Sequence, residues 1–467
     1  MRRRLWQTAR SMTRIANPAA SSVLGDDLPG AGSLAPVLER ALALAKAQGA
    51  GAAEAALGLS RALTVNVRKG EPETVEFQAD RDLSVSVYFG QRRGSATTAD
   101  LAPAAVAEAV ETACAIARHT GEDPYAGLAP AERMARAFPE LALDHPWPLS
   151  VEEAIARARE CEAAGLAADA RIANSEGASL DTRRGLSLYA NSHGFLGHSR
   201  GSEHSLSCVL IAKQGESMQR DYWYTAARRP DALQPAETVG RIAAERTCAR
   251  LAPRPLGTRT APVLFPPELA RSLFRSFVGA ISGGALYRKA SFLLDQLGQP
   301  VFHPRVQIRQ RPHLREAMGS AAFDHEGVAT VDRELVKDGV LQGWVLDSYS
   351  ARRLKLETTG NSGGVFNLVI EPGSASFEQL IRDLGSGLVL NELMGSGANL
   401  ITGDYSRGAA GFWVENGAIA YPVENVTIAG NLKDMYRHIA ALGNDVDLRG
   451  NIRTPSVLIE RMTIAGQ

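Results

Sequence analysis

The fold of the second half of the chain is best predicted from residues 401–417, which read ITGDYSRGAAGFWVENG. The stretch ends in Asn416-Gly417, and apolar runs lie on both sides of it, at 412–415 and 419–423. An Asn-Gly pair tolerates the two positive φ angles of a type I′ turn, the turn that joins paired antiparallel strands. The sequence therefore predicts a β-hairpin centred on Asn416 and Gly417.

The first part of the same stretch is a candidate binding loop. Its three glycines free the backbone, and hydrogen-bonding side chains lie between them at Asp404, Tyr405, Ser406 and Arg407. Loops held beside a rigid hairpin often carry binding sites. The alternative is a tight turn held by an Asp–Arg pair, and the residue types alone leave both interpretations open.

Further turn and helix signals follow the same pattern in the second half. Asp338-Gly339 lies between two apolar runs and predicts another hairpin. A helix is predicted from Pro267 to about Ile281, because proline is favoured in the first turn of a helix. Two more helices are expected to end at glycines, namely 377–384 before Gly385 and 432–442 before Gly443. These signals predict a β-rich, barrel-like domain with a few helices.

The first half combines helical segments with alternating strand patterns. Helices are predicted at 34–48, 101–118, 150–169 and 236–250. Strands that alternate apolar and polar residues are predicted at 63–67, 75–77, 83–89, 171–175, 185–190 and 204–212. Turns are expected between them at 70–72, 80–82, Gly177 and Gly194. This half is therefore expected to hold an antiparallel sheet with flanking helices.

The best linker between the halves is the sequence APRPLG at 252–257. The predicted fold class is α+β with two domains, an N-terminal α/β domain at 26–252 and the C-terminal β-rich domain at 258–467. Residues 1–25 contain five arginines and no acidic residue. We interpret them as a basic, disordered tail, with a targeting peptide as the alternative.

Composition narrows the possible function classes. The 467 residues contain 51 basic and 51 acidic side chains, and this balance argues against a nucleic-acid-binding surface. No apolar run approaches the roughly 18–20 residues needed to span a bilayer, so no membrane role is expected. The four cysteines are far apart and form no CxxC pair. We therefore expect buried thiols in a reducing compartment, the cytoplasm.

A zinc-peptidase motif is the first catalytic signal to look for. Such a motif places two histidines about one helical turn apart and a glutamate after the first. The single His-Glu dipeptide is His325-Glu326, and the residues four and five beyond His325 are Ala329 and Thr330. With Asp324, this segment is more typical of a turn, although it remains a candidate for an unconventional site.

A second candidate metal cluster comprises His193, His198 and His204, with Cys208 beyond them. Its spacing is poor, because positions four apart in a strand share a face but lie about 13 Å apart. We therefore favour a structural role in a loop and a strand, and keep a metal site as the alternative.

Several longer motifs resemble one known family. They are residues 191–194, 279–289, 323–324 with 326–327, 348–352, 403–417 and 428–432. Over about residues 30–467 the chain resembles the TldD/PmbA family, and within it the PmbA (TldE) branch. The resemblance implies a heterodimer with a TldD-type subunit that degrades or processes unfolded or flexible peptides, held in extended form in a cavity.

The resemblance also implies where the metal is. TldD-type chains carry an HExxxH helix and a C-terminal cysteine that bind zinc, and the matching positions here are Arg275, Ser276 and Ala280. The last cysteine of this chain is Cys248, so the third ligand is missing as well. We therefore expect no metal and no intact catalytic residue in this chain, and zinc in the TldD-type partner.

The leading hypothesis is thus a non-catalytic subunit that shapes the substrate cavity of a zinc peptidase. A homodimer is also possible, and peptide capture by β-strand addition is expected. Alternatives are a stand-alone peptidase with an unconventional site and a non-hydrolytic peptide-binding or scaffold protein. The candidate cavity or interface residues are Arg288, Lys289, Asp404, Tyr405, Ser406 and Arg407.

Overall fold

The computed structural model describes residues 28–466, so the predicted basic tail at 1–25 lies outside the described residues. The helices are α1 (Ala31–Ala47), α2 (Pro103–His119), α3 (Val151–Ala168), α4 (Ala236–Ala249), α5 (Pro267–Ala280), α6 (Gly283–Tyr287), α7 (Ser348–Leu354), α8 (Phe377–Leu384) and α9 (Leu432–Arg437). The first six strands are β1 (Ala52–Arg68), β2 (Glu71–Phe89), β3 (Arg92–Thr98), β4 (Ile172–Asn191), β5 (Leu196–Gln214) and β6 (Ser217–Ala227).

The remaining strands lie in the second half of the chain. They are β7 (Arg259–Phe265), β8 (Ile308–Gln310), β9 (Arg333–Lys337), β10 (Val340–Leu341), β11 (Leu368–Ile370), β12 (Gly387–Met394), β13 (Asp404–Glu415), β14 (Ala418–Asn431), β15 (Ile439–Leu442), β16 (Ile452–Arg453) and β17 (Val457–Ala465). Residues 252–257 connect α4 to β7.

The first half forms one six-stranded sheet in the order β3-β2-β1-β4-β5-β6, and every neighbouring pair is antiparallel. Helices α1 and α2 cover one half of one sheet face, and α3 and α4 cover the other half. Helix α3 begins with a capping box, in which Ser150 and Glu153 bond each other's backbone, as its sequence indicates. The opposite sheet face points toward the second half of the chain.

Two of the turns predicted in this sheet need correction. Residues 80–82 lie within β2, because Asp80, Arg81 and Asp82 pair in register with β1. Gly177 lies within β4 at a bulge, with a φ of +113°, whereas the predicted turn at Gly194 is confirmed. Long-range pairing with a neighbouring strand overrides the local turn preference of short polar residues.

The second half contains a closed barrel of five strands in the order β14-β13-β12-β7-β17, because β14 also pairs with β17. Strand β15 pairs with β17 outside this ring, and a separate sheet has the order β10-β9-β8-β11-β16. The α+β class and the barrel-like character of this half are confirmed. Both predicted hairpins are confirmed too, with φ of +52° and +74° at Asn416 and Gly417, and +49° and +76° at Asp338 and Gly339.

Two predictions in the barrel region are wrong. Residues 404–411 form the first part of β13 and not a loop, because glycine lets the strands approach closely. A β-carbon on Gly411 would lie 2.1 Å from the carbonyl oxygen of Val389 on β12. The helix predicted at 432–442 ends at Arg437, and 439–442 form β15, whose pairing with β17 competes with local helix propensity.

All four cysteines are buried and free, as predicted for idle thiols. Within residues 28–466, no helix has the length and apolar character needed to cross a membrane.

Candidate functional site

Helix α5 places the three positions that match a zinc helix in three different environments. Arg275 is exposed, Ser276 is partly buried and donates its hydroxyl to Ser272 O at 3.1 Å, and Ala280 is fully buried. A guanidinium offers no lone pair and alanine offers no donor. The residues present therefore do not fit a zinc ion.

The candidate residues on β13 lie beside α5. Leu400, four residues before β13, packs against Gly279 of α5. A β-carbon on Gly279 would lie 2.9 Å from the Cδ1 of Leu400. Tyr405 is 2% exposed, and burial raises the pKa of its hydroxyl. Among the described residues, the Tyr405 hydroxyl and the Nε of Arg407 are buried without a hydrogen-bond partner. Tyr405 and Arg407 are two positions apart on β13 and therefore lie on the same face of this strand.

Asp404 and Ser406 are exposed on the same strand. The Asp404 carboxylate accepts from the Thr402 hydroxyl at 2.7 Å and the Asn431 amide at 3.1 Å, and these bonds lower its pKa. Arg407 donates from Nη2 to Leu393 O at 3.3 Å. The alternative of a tight turn held by an Asp404–Arg407 pair is therefore wrong.

Arg288 and Lys289 are exposed at the end of α6. The Arg288 guanidinium lies over the Tyr287 ring, 5.2 Å from its centroid. Arg353 of α7 lies over the same ring at 4.6 Å. The two residues thus belong to a surface of arginines and tyrosines around α6 and α7, and not to the Tyr405–Arg407 pair on β13.

The three histidines of the second candidate cluster do not converge. His193 and His198 are exposed, whereas His204 is buried. The ring of His204 bonds Thr182 Oγ1 at 2.7 Å and His145 O at 3.0 Å, and burial lowers its pKa. His198 and His204 are six residues apart on β5, which is about 20 Å along a strand.

The segment around Asp324 forms the expected turn, with Gly327 at a φ of +78°. Asp324 is 1% exposed, and its carboxyl accepts from the backbone N–H groups of Glu326, Val328 and Ser362 at 2.9 to 3.0 Å. His325 is exposed, and Glu326 accepts from Ser348 N at 3.0 Å. Within residues 28–466, no three His, Cys, Asp or Glu side chains are grouped to hold a metal ion.

This turn borders a crevice between the open face of the first sheet and the second half of the chain. One cavity of about 640 Å³ is lined by both halves, with Glu54, Tyr88 and Tyr189 facing Glu326 and Asp347. A neighbouring cavity of about 880 Å³ continues past His325 and the exposed ring of Phe138. Clefts of this size between two structural units are typical ligand sites.

At the floor of the crevice, Glu54 of β1 is held by two tyrosines. Its two carboxylate oxygens accept from the hydroxyls of Tyr88 and Tyr189, each at 2.8 Å. The strand register explains this geometry, because Glu54 lies opposite Ser86 and Asn191, so both tyrosines are its diagonal neighbours. Burial, followed by the Glu54 charge, raises the pKa of both phenols. Both phenols therefore keep their protons and remain donors to Glu54.

Two arginines join the halves on either side of the crevice. Arg352 of α7 donates to the carbonyl oxygens of Tyr125, Gly127 and Leu128 at 2.6 to 3.1 Å. Arg228 donates to Ala317 O at 3.1 Å and to Met318 O at 2.7 Å. Guanidinium groups that donate hydrogen bonds to backbone carbonyls across a gap fix the distance between its two walls.

Sequence reasoning missed Glu54, both tyrosines and both arginines. Glu54 stands on the polar side of an alternating strand, where a charged residue is expected in any sheet. The arginines have backbone partners far along the chain, so their sequence neighbourhood carries no signal for them. The sequence did offer the segment from Asp324 to Glu326 as a candidate, and this segment borders the same crevice, but it carries no signal for Glu54 or the two tyrosines.

Asp324 predicts a pH dependence of stability. Burial, with Glu326 adding to it, raises the pKa of Asp324 from 3.8 to about 7. Between these values the folded protein holds a proton that the unfolded chain releases, so the contribution of Asp324 to stability is largest at low pH and is lost as the pH rises toward 7. We expect a loss of about 2 kcal/mol from pH 5 to pH 6.5 through this group alone, at about 1.4 kcal/mol per pH unit.

The measurement is urea unfolding of the wild type and Asp324→Asn across this pH range. The variant loses a carboxyl group that accepts three N–H groups and is expected to be less stable at every pH, so the comparison uses the slope of the unfolding free energy with pH. Asp80→Asn, at an exposed position on β2, is the matched control and should keep the wild-type slope. Equal slopes for the wild type and Asp324→Asn would contradict the prediction.

Models of one protein family match nearly the whole described chain. They are the PmbA/TldA metallopeptidase domain 1 at residues 53–117, the central domain at 144–251 and the C-terminal domain at 258–466. Metalloprotease PmbA of Escherichia coli O157:H7 is 48% identical over 434 residues, covering 93% of this chain and 96% of that protein. The metalloprotease PmbA homolog of Haemophilus influenzae is 44% identical, covering 91% and 94%.

Solved structures agree with these matches. A protein described as a modulator of DNA gyrase from Bacteroides thetaiotaomicron has a TM-score of 0.89 at 27% identity, covering 93% of this chain and 99% of that one. TldE from Thermococcus kodakarensis has a TM-score of 0.82, covering 92% and 99%, and its 21% identity shows a shared fold. With family models over most of its length and a relative of 48% identity, the chain belongs to the PmbA/TldD metallopeptidase family.

Proposed function

We propose that this chain is the PmbA/TldE-type subunit of a metallopeptidase complex, and that a TldD-type partner supplies the zinc helix. The observation that carries the proposal is the chemistry of α5. Arg275, Ser276 and Ala280 hold no metal donor set, although they lie on a helix, Pro267–Ala280, as the zinc motif of the family does. A chain that keeps the family fold without the ligands needs a partner to hydrolyse a peptide bond.

In this proposal the chain binds and orients the substrate. The crevice suits an extended peptide because its two neighbouring cavities, of about 640 and 880 Å³, combine polar and apolar walls. Its apolar part is an aromatic cluster in which the rings of Phe138 and Phe195 lie 5.8 and 5.3 Å from the ring of Phe323. Its polar part contains Glu54 and Glu326. Such walls bind unfolded chains broadly, through backbone and side-chain contacts of low selectivity.

The proposal is tested with purified subunits and an unstructured fluorogenic peptide. We expect no zinc-dependent cleavage by this chain alone and robust cleavage after the TldD-type subunit is added. A partner whose motif glutamate is replaced by glutamine is the matched control and should leave the mixture inactive. Zinc-dependent cleavage by the isolated chain would refute the proposal in favour of a stand-alone peptidase. Peptide binding by an inactive mixture would favour a scaffold role instead.

The proposal places the complex in the cytoplasm. All four thiols are free and buried, a state that a reducing compartment preserves. Unfolded or flexible peptides are the substrate class, since the crevice has to receive a chain in extended form.

A further inference from the structure

Strand β2 has two parts with different surroundings. Its last residues, from Leu83, are mostly buried, whereas all twelve residues from Glu71 to Asp82 are exposed. The exposed part includes two large apolar side chains, Val75 at 40% and Phe77 at 48% exposure. A strand of this length, about 40 Å, with every side chain in solvent is unusual within a sheet.

The pairing of β2 explains this exposure. Strand β1 pairs with β2 along its whole length, but β3 pairs with β2 from Leu83 to Phe89 alone. Within residues 28–466, no strand pairs with the outer edge of 71–82. We call this segment the open edge. Its free N–H and C=O groups are a template for another strand.

The open edge has an apolar face and an acidic face. Val75 and Phe77 lie opposite Val65 and Leu63 of β1, whose side chains are buried under α3. The apolar face of the sheet therefore continues beyond the helix that covers it. Alternate positions carry the acidic face, which includes Glu76, Asp80 and Asp82.

The charge of the open edge indicates which partner it fits. It holds five carboxylates and one arginine, and Arg159 and Arg68 lie 3.6 Å from the two carboxylates nearest the turn, Glu71 and Glu73. A second copy of this chain, paired antiparallel, would bring Glu76 and the aspartates close to like charges, which destabilises a strand pair. A strand rich in lysine or arginine, with apolar residues on one face, complements both faces.

We propose that the open edge, residues 71–82 of β2, is the docking strand for the TldD-type subunit, which adds a basic strand to this sheet. This inference rests on the proposed function, because that function supplies the partner. Backbone hydrogen bonds along the edge provide affinity, Val75 and Phe77 pack beneath the partner, and the carboxylates select its charge.

The test measures the affinity of the purified full-length chain for the purified TldD-type subunit by biolayer interferometry. Val75→Ser with Phe77→Ser should weaken binding at least tenfold. Glu76→Lys with Asp80→Lys should weaken it similarly and reduce its dependence on salt. The matched control, Met218→Ser with Tyr222→Ser, changes residues of 65% and 48% exposure on β6, the other edge of the same sheet, and should bind as the wild type.

The outcomes separate the two proposals. Wild-type affinity in both β2 variants would overturn the docking strand and leave the proposed function intact. Failure of the wild-type chain to bind the TldD-type subunit would overturn both. Light scattering of this chain alone supplies a further outcome. If the β2 variants abolish a homodimer and leave partner affinity unchanged, the edge belongs to a second copy and the choice of partner is wrong. Unchanged circular dichroism confirms that the variants fold.

Discussion

Replacing Arg352 by alanine is expected to destabilise the protein by about 4.5 kcal/mol, since three charge-assisted hydrogen bonds of about 1.5 kcal/mol each are lost. The guanidinium donates to Tyr125 O at 2.6 Å, Gly127 O at 2.8 Å and Leu128 O at 3.1 Å. Alanine leaves these carbonyls without their donor and frees the segment from α7. Because this segment lines the crevice, we also expect weaker peptide binding.

Arg353→Ala is the matched control for this prediction. Arg353 is the next residue, is exposed, and lies over the rings of Tyr125, Tyr287 and Tyr349 at 4.6 to 5.9 Å. Its removal deletes the same charge and exposed ring contacts, so the loss of stability should be well below that of Arg352→Ala. Urea unfolding measures the free energy, and limited proteolysis reports exposure of the 125–128 segment. Equal stability of the two variants would show that the carbonyl contacts of Arg352 contribute nothing specific.

Replacing Gly240 by alanine is expected to cost at least about 3 kcal/mol, as overpacking between rigid elements does. A β-carbon at this position would lie 2.0 Å from Cys161 O and 2.8 Å from Gly165 N on α3. Both partners are backbone atoms of a packed helix, so relief requires α3 and α4 to separate. The helical preference of alanine over glycine, about 1 kcal/mol, offsets part of this cost.

Gly32→Ala makes the same chemical change where there is space. Gly32 lies within α1, and a β-carbon there would meet nothing within 4 Å. We expect this control to stabilise the protein by up to about 1 kcal/mol through helix propensity. If close packing of α3 against α4 is the cause, chemical denaturation will give a lower free energy of unfolding for Gly240→Ala and a higher one for Gly32→Ala. The prediction would be contradicted if Gly240→Ala lost less stability than an ordinary surface substitution does.

Several elements could be predicted because their signals are local. The hairpins at Asn416-Gly417 and Asp338-Gly339 depend on two residues that accept positive φ. The start of α3 depends on the Ser150–Glu153 capping box, and the start of α5 on Pro267. In each case the atoms that define the element are within a few residues of one another, so the sequence carries the whole signal.

Elements defined by distant partners were predicted poorly. Residues 80–82 look like a turn but lie within β2, since β1 satisfies their backbone groups in register. Residues 404–411 look like a glycine loop but form a strand, because β12 and β14 pair with them. The residues 439–442 continue a helical pattern and instead pair with β17. Hydrogen bonding between strands outweighs local preference in all three.

The residues of the candidate site likewise divide into those with a local sequence signal and those defined by distant partners. Family motifs on α5 identified the positions Arg275, Ser276 and Ala280, and their side-chain types alone exclude zinc ligation there. Tyr405 and Arg407 lie side by side because alternate residues of a strand share a face. The glycines around them predicted a loop, so this placement was not expected from the sequence. The crevice residue Glu54 gave no signal, because its partners are 34 and 135 residues away.

Short motifs and single side chains are enough to predict the family, the hairpins, the helix starts and the lack of a zinc donor set at Arg275, Ser276 and Ala280. Tertiary structure alone decided the closure of the barrel, the crevice with its tyrosine-held Glu54, the joining arginines and the open edge of β2. These depend on which strands pair and where pairing stops, and such contacts are set by burial and backbone hydrogen bonding between segments far apart in the chain.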